Sequence, residues 1–310
     1  MKKKNMAKKA VLPALLAVLC STAALTSVSY AWFTMGNEAS VEGIDVNVQA
    51  ADGMQISVDA VNWKSNLSVS DLKGVVNSNN VMPEDSTELA PVSSVGDFYT
   101  KDDDGKVAGT QKMYKGTITN DRLTAVEDAS NFVAFDLYVK LDVEKKFSLV
   151  KDGTTVTDPK LKNSHLSSRV SFAYFGTHNA SKPADALADT ELAPNGVKIW
   201  EPNSTTHTDF AIGQYGDKIR DKKVDYKGVN AEISTGIDPN GDATELSSVT
   251  TFDFRAADST YVLYDNLGAG ISKFRITIWL EGQDVDCNND ASAGQLNVDF
   301  KFQVPATPKN

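Results

Sequence analysis

Alternation of apolar and polar residues is the feature that most limits what this chain can fold into. It recurs along the sequence and is clearest at residues 133–143, 274–280 and 296–302. A period of two places every second side chain on one face of a strand, so these segments predict β-strands with an apolar face toward a core. Only residues 183–190 have a composition that favours a short helix.

Many strands, frequent turn signals and very little helix predict an all-β chain. The expected architecture is an antiparallel β-sandwich of jelly-roll or immunoglobulin-like type, with long loops and at most one or two short helices. Residues 32–310 are predicted to form a single domain of this kind, with a loop-rich insertion at about 177–248. Residues 44–50 and 54–60 both alternate and flank an Asp-Gly turn signal, which predicts a hairpin.

The N-terminus has the order of a secretory signal peptide. Five lysines precede an apolar run, after which the small residues Ser29 and Ala31 flank a tyrosine. This order predicts that residues 1–31 are a signal peptide, cut by signal peptidase between Ala31 and Trp32. An uncleaved anchor is the alternative, because the apolar run extended through Phe33 approaches the ~20 residues that span a bilayer.

The same junction carries a resemblance to a known family. The lysine-rich start, the short apolar run and the sequence Tyr30-Ala31-Trp32-Phe33 resemble the leaders of the TasA and camelysin group. That group comprises surface and biofilm-matrix proteins of Gram-positive bacteria, whose leaders are removed by a dedicated signal peptidase. The resemblance covers the leader and cleavage region, and it implies a secreted protein that is extracellular or held at the cell surface.

The excess of acidic over basic residues limits the classes of partner that the chain is expected to bind. Removing residues 1–31 takes away five of the 31 basic residues and none of the 41 acidic ones, which leaves 26 basic residues and a formal charge of −15. This charge argues against nucleic acid as a partner, since phosphate binding needs clustered Lys and Arg. After residue 31 no apolar stretch approaches the length of a membrane span, so membrane contact is expected only through the leader before cleavage.

Two loops offer closely spaced oxygen ligands of the kind that calcium takes. The candidate ligands are Asp238, Asn240 and Asp242 in one loop, and Asp284, Asp286 and Asp290 in the other. Turns rich in Asp and Asn are also ordinary connections between strands, and neither loop fits the helix-flanked twelve-residue calcium loop. No cofactor is expected apart from this candidate calcium.

The sequence contains no motif of a known catalytic class. The three histidines lie in polar segments without a partner at metal-ligand spacing, and the motifs of zinc proteases, serine hydrolases and phosphate-binding loops are missing. Cys287 lies beside Asp286, and neighbouring carboxylates raise the pKa of a thiol, so this cysteine is expected to be packed and unreactive. The chain is therefore predicted not to be an enzyme.

A structural role is the first of two functions that the sequence favours. The chain would be a subunit of an extracellular filament or biofilm matrix, whose partners are other copies of itself or other surface proteins. Trp32 and Phe33 would begin an assembly strand that continues through Ile44, Val46 and Val48 and pairs with the open sheet edge of a neighbouring subunit. A first strand that pairs within its own sheet would have the same sequence pattern.

The second function that the sequence favours is a binding role. An adhesin or glycan-binding module would use calcium-stiffened loops and the 177–248 insertion, with exposed aromatic rings as stacking platforms. Its candidate rings are Trp63, Trp200 and Trp279. The alternative for Trp279 is a strand that is covered on both faces by an added layer.

The secreted protein is expected to begin at Trp32. N-terminal sequencing of the protein recovered from the medium of a Gram-positive expression host checks this position. Replacing Ala31 by Arg should prevent the cut, because the peptidase requires a small residue there. A wild-type chain that keeps its N-terminal lysines and stays in the membrane fraction would instead favour the anchor.

Overall fold

The secondary structure of the computed structural model is mostly β-strand, with very little helix, which confirms the predicted all-β fold class. It describes residues 44–50, 54–75, 80–81, 89–94, 100–101, 107–108, 113–119, 122–182, 196–209, 211–212, 232–237, 243–248, 251–282, 284, 286–287 and 294–305. The helices whose bounds lie there are α1 (Val69–Lys73) and a 3-10 helix (Ser164–Ser167), and Asp209, Ala211 and Ile212 are helical as well. The predicted helix at 183–190 and the predicted leader lie outside the described residues. No helix in the described part of the chain is long and apolar enough to cross a membrane.

Nineteen strands make up the described β-structure. In chain order they are β1 (Ile44–Ala50), β2 (Gln55–Ser57), β3 (Asn66–Leu67), β4 (Ser93–Ser94), β5 (Thr100–Lys101), β6 (Val107–Ala108), β7 (Met113–Thr119), β8 (Arg122–Asp128), β9 (Val133–Leu141), β10 (Lys145–Val150), β11 (Thr155–Thr157), β12 (Ser168–His178), β13 (Val197–Trp200), β14 (Glu232–Ile237), β15 (Ala243–Ser248), β16 (Thr251–Phe252), β17 (Thr260–Leu267), β18 (Gly270–Leu280) and β19 (Leu296–Gln303).

Two six-stranded sheets pack face to face. Sheet 1 has the order β17-β10-β19-β1-β3, with β11 also paired to β19, and sheet 2 has the order β16-β13-β12-β18-β9-β2. Most neighbours are antiparallel, but β1 runs parallel to β19 and β13 runs parallel to β16. Three smaller sheets, β4-β7-β8, β5-β6 and β14-β15, account for the other strands.

The predicted hairpin of residues 44–50 and 54–60 is wrong. β1 belongs to sheet 1, whereas β2 pairs with β9 in sheet 2. Likewise, the alternating segments 274–280 and 296–302 lie in opposite sheets as β18 and β19. The alternation shows which positions of a strand share a face, but it carries no information about the strand's partner.

Aromatic side chains fill the space between the sheets. Phe147 of sheet 1 stacks on Phe302 at 4.9 Å between ring centroids and contacts Phe274 of sheet 2 at 5.0 Å. Phe172 of sheet 2 meets Phe300 of sheet 1 edge to face at 5.6 Å. These five rings are almost fully buried, and offset or edge-to-face contacts of this kind add to the stabilisation that burial alone provides.

Sheet 2 is covered on its outer face as well. All eleven residues of β18 are buried, while the residues of β19 alternate between buried and half-buried. The apolar side chains over the outer face of sheet 2 form a second cluster, which contains Val92, Met113, Phe132, Ala134, Ile199 and Trp279. Sheet 2 is therefore the middle layer, with sheet 1 on one side and connecting segments on the other.

Charged residues on the outer face of sheet 2 are buried next to groups of opposite charge. Asp136, which has no exposed surface, accepts hydrogen bonds from Arg275 Nε at 2.9 Å and Nη2 at 2.8 Å. Lys273 Nζ lies 3.0 Å from the other carboxylate oxygen of Asp136. The alternation of β9 predicts Asp136 on a polar face, and the structure places that face inside the protein with two cations beside the carboxylate.

The turn from β17 to β18 depends on glycine. Gly270 has a φ of +122°, and a Cβ atom there would lie 2.1 Å from the carbonyl oxygen of His178. A side chain cannot fit at that distance, and the positive φ is one that glycine adopts at little cost. The close approach lets β18 begin directly beside the end of β12.

Removing one core ring should reduce stability strongly. Phe300→Ala is expected to lower the free energy of unfolding by about 3–5 kcal/mol, because the ring has no exposed surface and leaves a cavity between the sheets. Urea unfolding followed by fluorescence measures the change. Val61→Ala is the control: Val61 is 60% exposed, so its truncation should change stability by less than about 0.5 kcal/mol. Similar losses in both variants would contradict the assigned core.

Candidate functional sites: the first strand and a buried charge cluster

The predicted assembly strand lies partly within the described residues. Ile44, Val46 and Val48 belong to β1, where they stand opposite Leu296, Val298 and Phe300 of β19 in the same chain. Trp32 and Phe33 lie outside the described residues, as do the cleavage residues Ser29 and Ala31. The structure therefore describes the second half of the predicted assembly strand, which lies in sheet 1 as β1.

The two sides of β1 are paired very unequally. On one side, all seven residues from Ile44 to Ala50 are in register with β19. On the other side, β3 contributes two residues, Asn66 and Leu67, which face Gln49 and Val48. Among the described strands, the first half of β1 thus has a neighbour on one side only, and such an edge can accept another strand.

The candidate calcium ligands Asp284 and Asp286 are buried and bonded to protein groups. Asp284 Oδ2 lies 2.6 Å from Arg169 Nη2, and its Oδ1 accepts the backbone N–H of Asp286 at 2.9 Å. Asp286 Oδ2 lies 2.6 Å from His207 Nδ1, and Thr208 donates to its Oδ1 from the backbone and the hydroxyl. Each of these four carboxylate oxygens therefore has a protein partner.

The other candidate ligands, Asp238, Asn240, Asp242 and Asp290, lie outside the described residues. Across the positions that the structure does describe, no three His, Cys, Asp or Glu side chains are grouped so that they could hold a metal ion. Calcium binding by either loop stays a prediction.

Asp284 and Asp286 are part of a larger arrangement that the sequence did not reveal. We define the buried charge cluster as Arg169, Glu201, His207, Glu281, Asp284 and Asp286, each of them less than a tenth exposed. Arg169 projects from β12, while Glu201 and Glu281 directly follow β13 and β18. The cluster joins the ends of three adjacent strands of sheet 2 to the loops that cover them.

Hydrogen bonds engage the remaining carboxylates of the cluster. Arg169 Nη2 also donates to Glu201 Oε1 at 3.0 Å, and Thr251 Oγ1 donates to Glu201 Oε2 at 2.7 Å. Glu281 accepts from Trp279 Nε1 at 3.1 Å and from the hydroxyl of Ser93. Buried carboxylates are tolerated in proteins when charges and hydrogen bonds of this kind surround them.

The cluster is buried and holds more acidic groups than basic ones. Both properties shift the pKa values of its groups. Burial raises the pKa of Asp284 to about 7, an effect that Arg169 opposes and that Asp286 and Glu201 reinforce. For His207, burial acts to lower the pKa, but the hydrogen bond and charge of Asp286 raise it above its ordinary value. The folded cluster therefore holds protons that the same groups would release in the unfolded chain.

Cys287 is buried at the edge of the cluster. Burial raises the pKa of its thiol well above the ordinary value, and the charges of Asp284 and Glu281 raise it further. A thiol of this kind is protonated at neutral pH and a poor nucleophile. The predicted packing of Cys287 is confirmed, and its low reactivity stays a prediction that the raised pKa supports.

The tryptophans do not form the platforms that a glycan-binding module would need. Trp200 is 2% exposed and Trp279 has no exposed surface, so the alternative of a doubly covered strand is confirmed for Trp279. Trp63 is half-buried, and the ammonium of Lys140 lies over its ring at 5.5 Å from the centroid. Two of the three candidate rings are therefore closed to a ligand.

The free energy of unfolding is expected to fall as the pH rises from 3.8, the ordinary pKa of Asp284, to its folded value of about 7. His207, whose pKa is raised from 6.5, extends this fall to higher pH. Asp284 and His207 have raised pKa values in the folded state, so their contribution to stability is full below the unfolded pKa values. It is lost as the pH passes the folded values. The lowered pKa values of His165 and His178, caused first by burial, act in the opposite direction below their ordinary value of 6.5.

Urea unfolding at several pH values measures this slope. Asp284→Asn should flatten the slope below about pH 7, because an amide does not titrate. The matched control His165→Gln should not flatten it, because it removes a contribution of the opposite sign. If the wild type and Asp284→Asn lost stability equally across this range, Asp284 would not hold the additional proton.

Comparisons with protein-family models, with curated proteins and with solved structures found no match to this chain. The resemblance of the leader to the TasA and camelysin group stays a prediction.

Proposed function

We propose that the chain is a secreted structural protein of the cell surface, a subunit of an extracellular filament or biofilm matrix that assembles through its N-terminal strand. The observation that carries this proposal is the pairing of β1. Its seven residues lie parallel to the last strand of the sheet, and its outer edge is only partly covered among the described strands.

A strand in this position is suited to exchange between subunits. β1 is the first strand of the described chain, and its pairing with β19 is made by backbone hydrogen bonds that any copy of the chain could supply. The half of β1 that has no second neighbour among the described strands offers a second opportunity, since the edge of a sheet can pair with a segment from a neighbour. Both arrangements would use residues 32–50, which continue directly from the predicted cut.

The chemistry of the described residues gives this role further support. Cys287 is buried with a raised thiol pKa, and the carboxylates of the buried charge cluster are bonded to protein groups. Two of the three tryptophans that could have formed a glycan platform are buried. An assembling subunit needs a stable body and a strand to exchange, and these are the features that the chain presents.

Deleting residues 32–40 should abolish filaments while leaving the sandwich folded. β1 stays in place in this variant, so the free energy of unfolding is expected to stay close to that of the wild type. Negative-stain microscopy of the secreted protein measures assembly, and deletion of residues 306–310 is the control for shortening the chain at its other end. Filaments that persist unchanged without residues 32–40 would refute assembly through this strand.

A further inference from the structure

Two exposed loop tips carry opposite charges around an apolar residue. Val143 is 50% exposed and lies between Asp142 and Glu144, which are exposed as well. Leu161 is 84% exposed and lies between the exposed residues Lys160 and Lys162. We name these the acidic tip (142–144) and the basic tip (160–162). The alternating pattern predicts Val143 on the buried face of β9, but that strand ends at Leu141 and Val143 belongs to the turn.

The tips lie at opposite ends of the sandwich. The basic tip follows β11, whose last residue Thr157 stands opposite Asn297 near the start of β19. The acidic tip precedes β10, where Lys145 Nζ donates to the carbonyl of Pro305 just beyond the end of β19, at 3.2 Å. β19 has eight residues, so roughly 26 Å separates its two ends. The tips of one chain therefore cannot touch each other.

The basic tip has a fixed and strained backbone. Leu161 has a φ of 57°, in the left-handed region that a bulky residue rarely adopts. The buried carboxylate of Asp158 holds this turn, because it accepts the backbone N–H groups of Lys160 at 2.9 Å, Lys162 at 3.1 Å and Ser164 at 3.2 Å. Strain that the surroundings maintain is a feature of functional sites, and here its effect is to present a leucine to solvent.

Two lysines follow the acidic tip, and each of them contacts a group outside the tip. Lys145 reaches the carbonyl of Pro305, and Lys146 Nζ lies 3.3 Å from Asp265.

We propose that the basic tip of one copy of this chain docks on the acidic tip of the next. Each tip offers an exposed apolar side chain with two like charges beside it, and the charges of the two tips are opposite. Contact between different surfaces at opposite ends joins copies head to tail, and such contacts build open linear assemblies. The ion pairs are at the surface, so the contact is weak alone and weakens with added salt.

This docking rests on the proposed function and gives the filament a direction. β1 begins at the end of β19 that also carries the basic tip, since Ile44 stands opposite Leu296. In a head-to-tail assembly, the start of β1 would therefore face the acidic tip of the neighbouring subunit. The tips would set the orientation that the N-terminal strand then secures.

Cysteines at the two tips test the contact. In the secreted Val143→Cys/Leu161→Cys variant, mild oxidation with diamide should give a ladder of disulfide-linked oligomers on a denaturing gel. Either single variant should give no ladder, because a head-to-tail contact brings unlike tips together. The Val61→Cys/Leu161→Cys variant is the matched control: Val61 is similarly exposed but has no charged neighbour in sequence. The wild-type chain is the control for disulfides formed by the buried Cys287.

Charge reversal is the second test of the contact between the tips. Adding Lys160→Glu and Lys162→Glu to the two-cysteine variant should remove the ladder, and adding Asp142→Lys and Glu144→Lys as well should restore it. A two-cysteine variant without a ladder, or with one that does not respond to charge reversal, overturns the docking. If filaments form without a ladder, only the tip contact fails. A ladder together with filaments that survive deletion of residues 32–40 supports the contact and refutes the N-terminal strand.

Discussion

The burial of sheet 2 on both faces is the constraint on which the rest of the structure depends. One face packs on the phenylalanines of sheet 1, and the other lies beneath connecting segments that carry Val92, Met113 and Phe132. A sheet without a solvent face cannot keep isolated charges, because an unpaired buried charge is very costly. Asp136 and Arg169 are accordingly surrounded by groups of opposite charge. Removing a single partner from such a group commonly costs several kcal/mol, and the loops are thereby held to the strands they cover.

Local patterns in the sequence predict much of this fold. Alternation identifies β9, β18 and β19, and the scarcity of helical periodicity gives the all-β class. Strand partners are not predictable in the same way, because pairing depends on the whole core. Residues on both sides of Asp52-Gly53 have the pattern of a hairpin, yet β1 and β2 are separated into opposite sheets. Alternation also cannot show that the polar face of a strand is covered, as it is at Asp136.

The buried charge cluster shows the same limit for sites. His207 and Asp286 are 79 residues apart in sequence, and Arg169 and Asp284 are 115 apart. No spacing rule joins residues at such distances. The closely spaced acids after β18 were the one available signal, and an acidic loop has the same sequence whether it faces a cation in solvent or an arginine inside the protein. Only the burial of β18 distinguishes the two, and burial is a property of the folded chain.

The parallel pairing of β1 with β19 also affects when the protein can fold. It joins the first strand of the described chain to the last, so sheet 1 cannot be completed until the C-terminal residues have been made. Contacts between such distant parts of a chain form late, because closing the loop costs entropy before any contact is gained. A chain that emerges N-terminus first consequently leaves the side of β1 that pairs with β19 open until residues 296–302 have been made. During this delay, that side of β1 is open to pairing with another strand before its own partner exists.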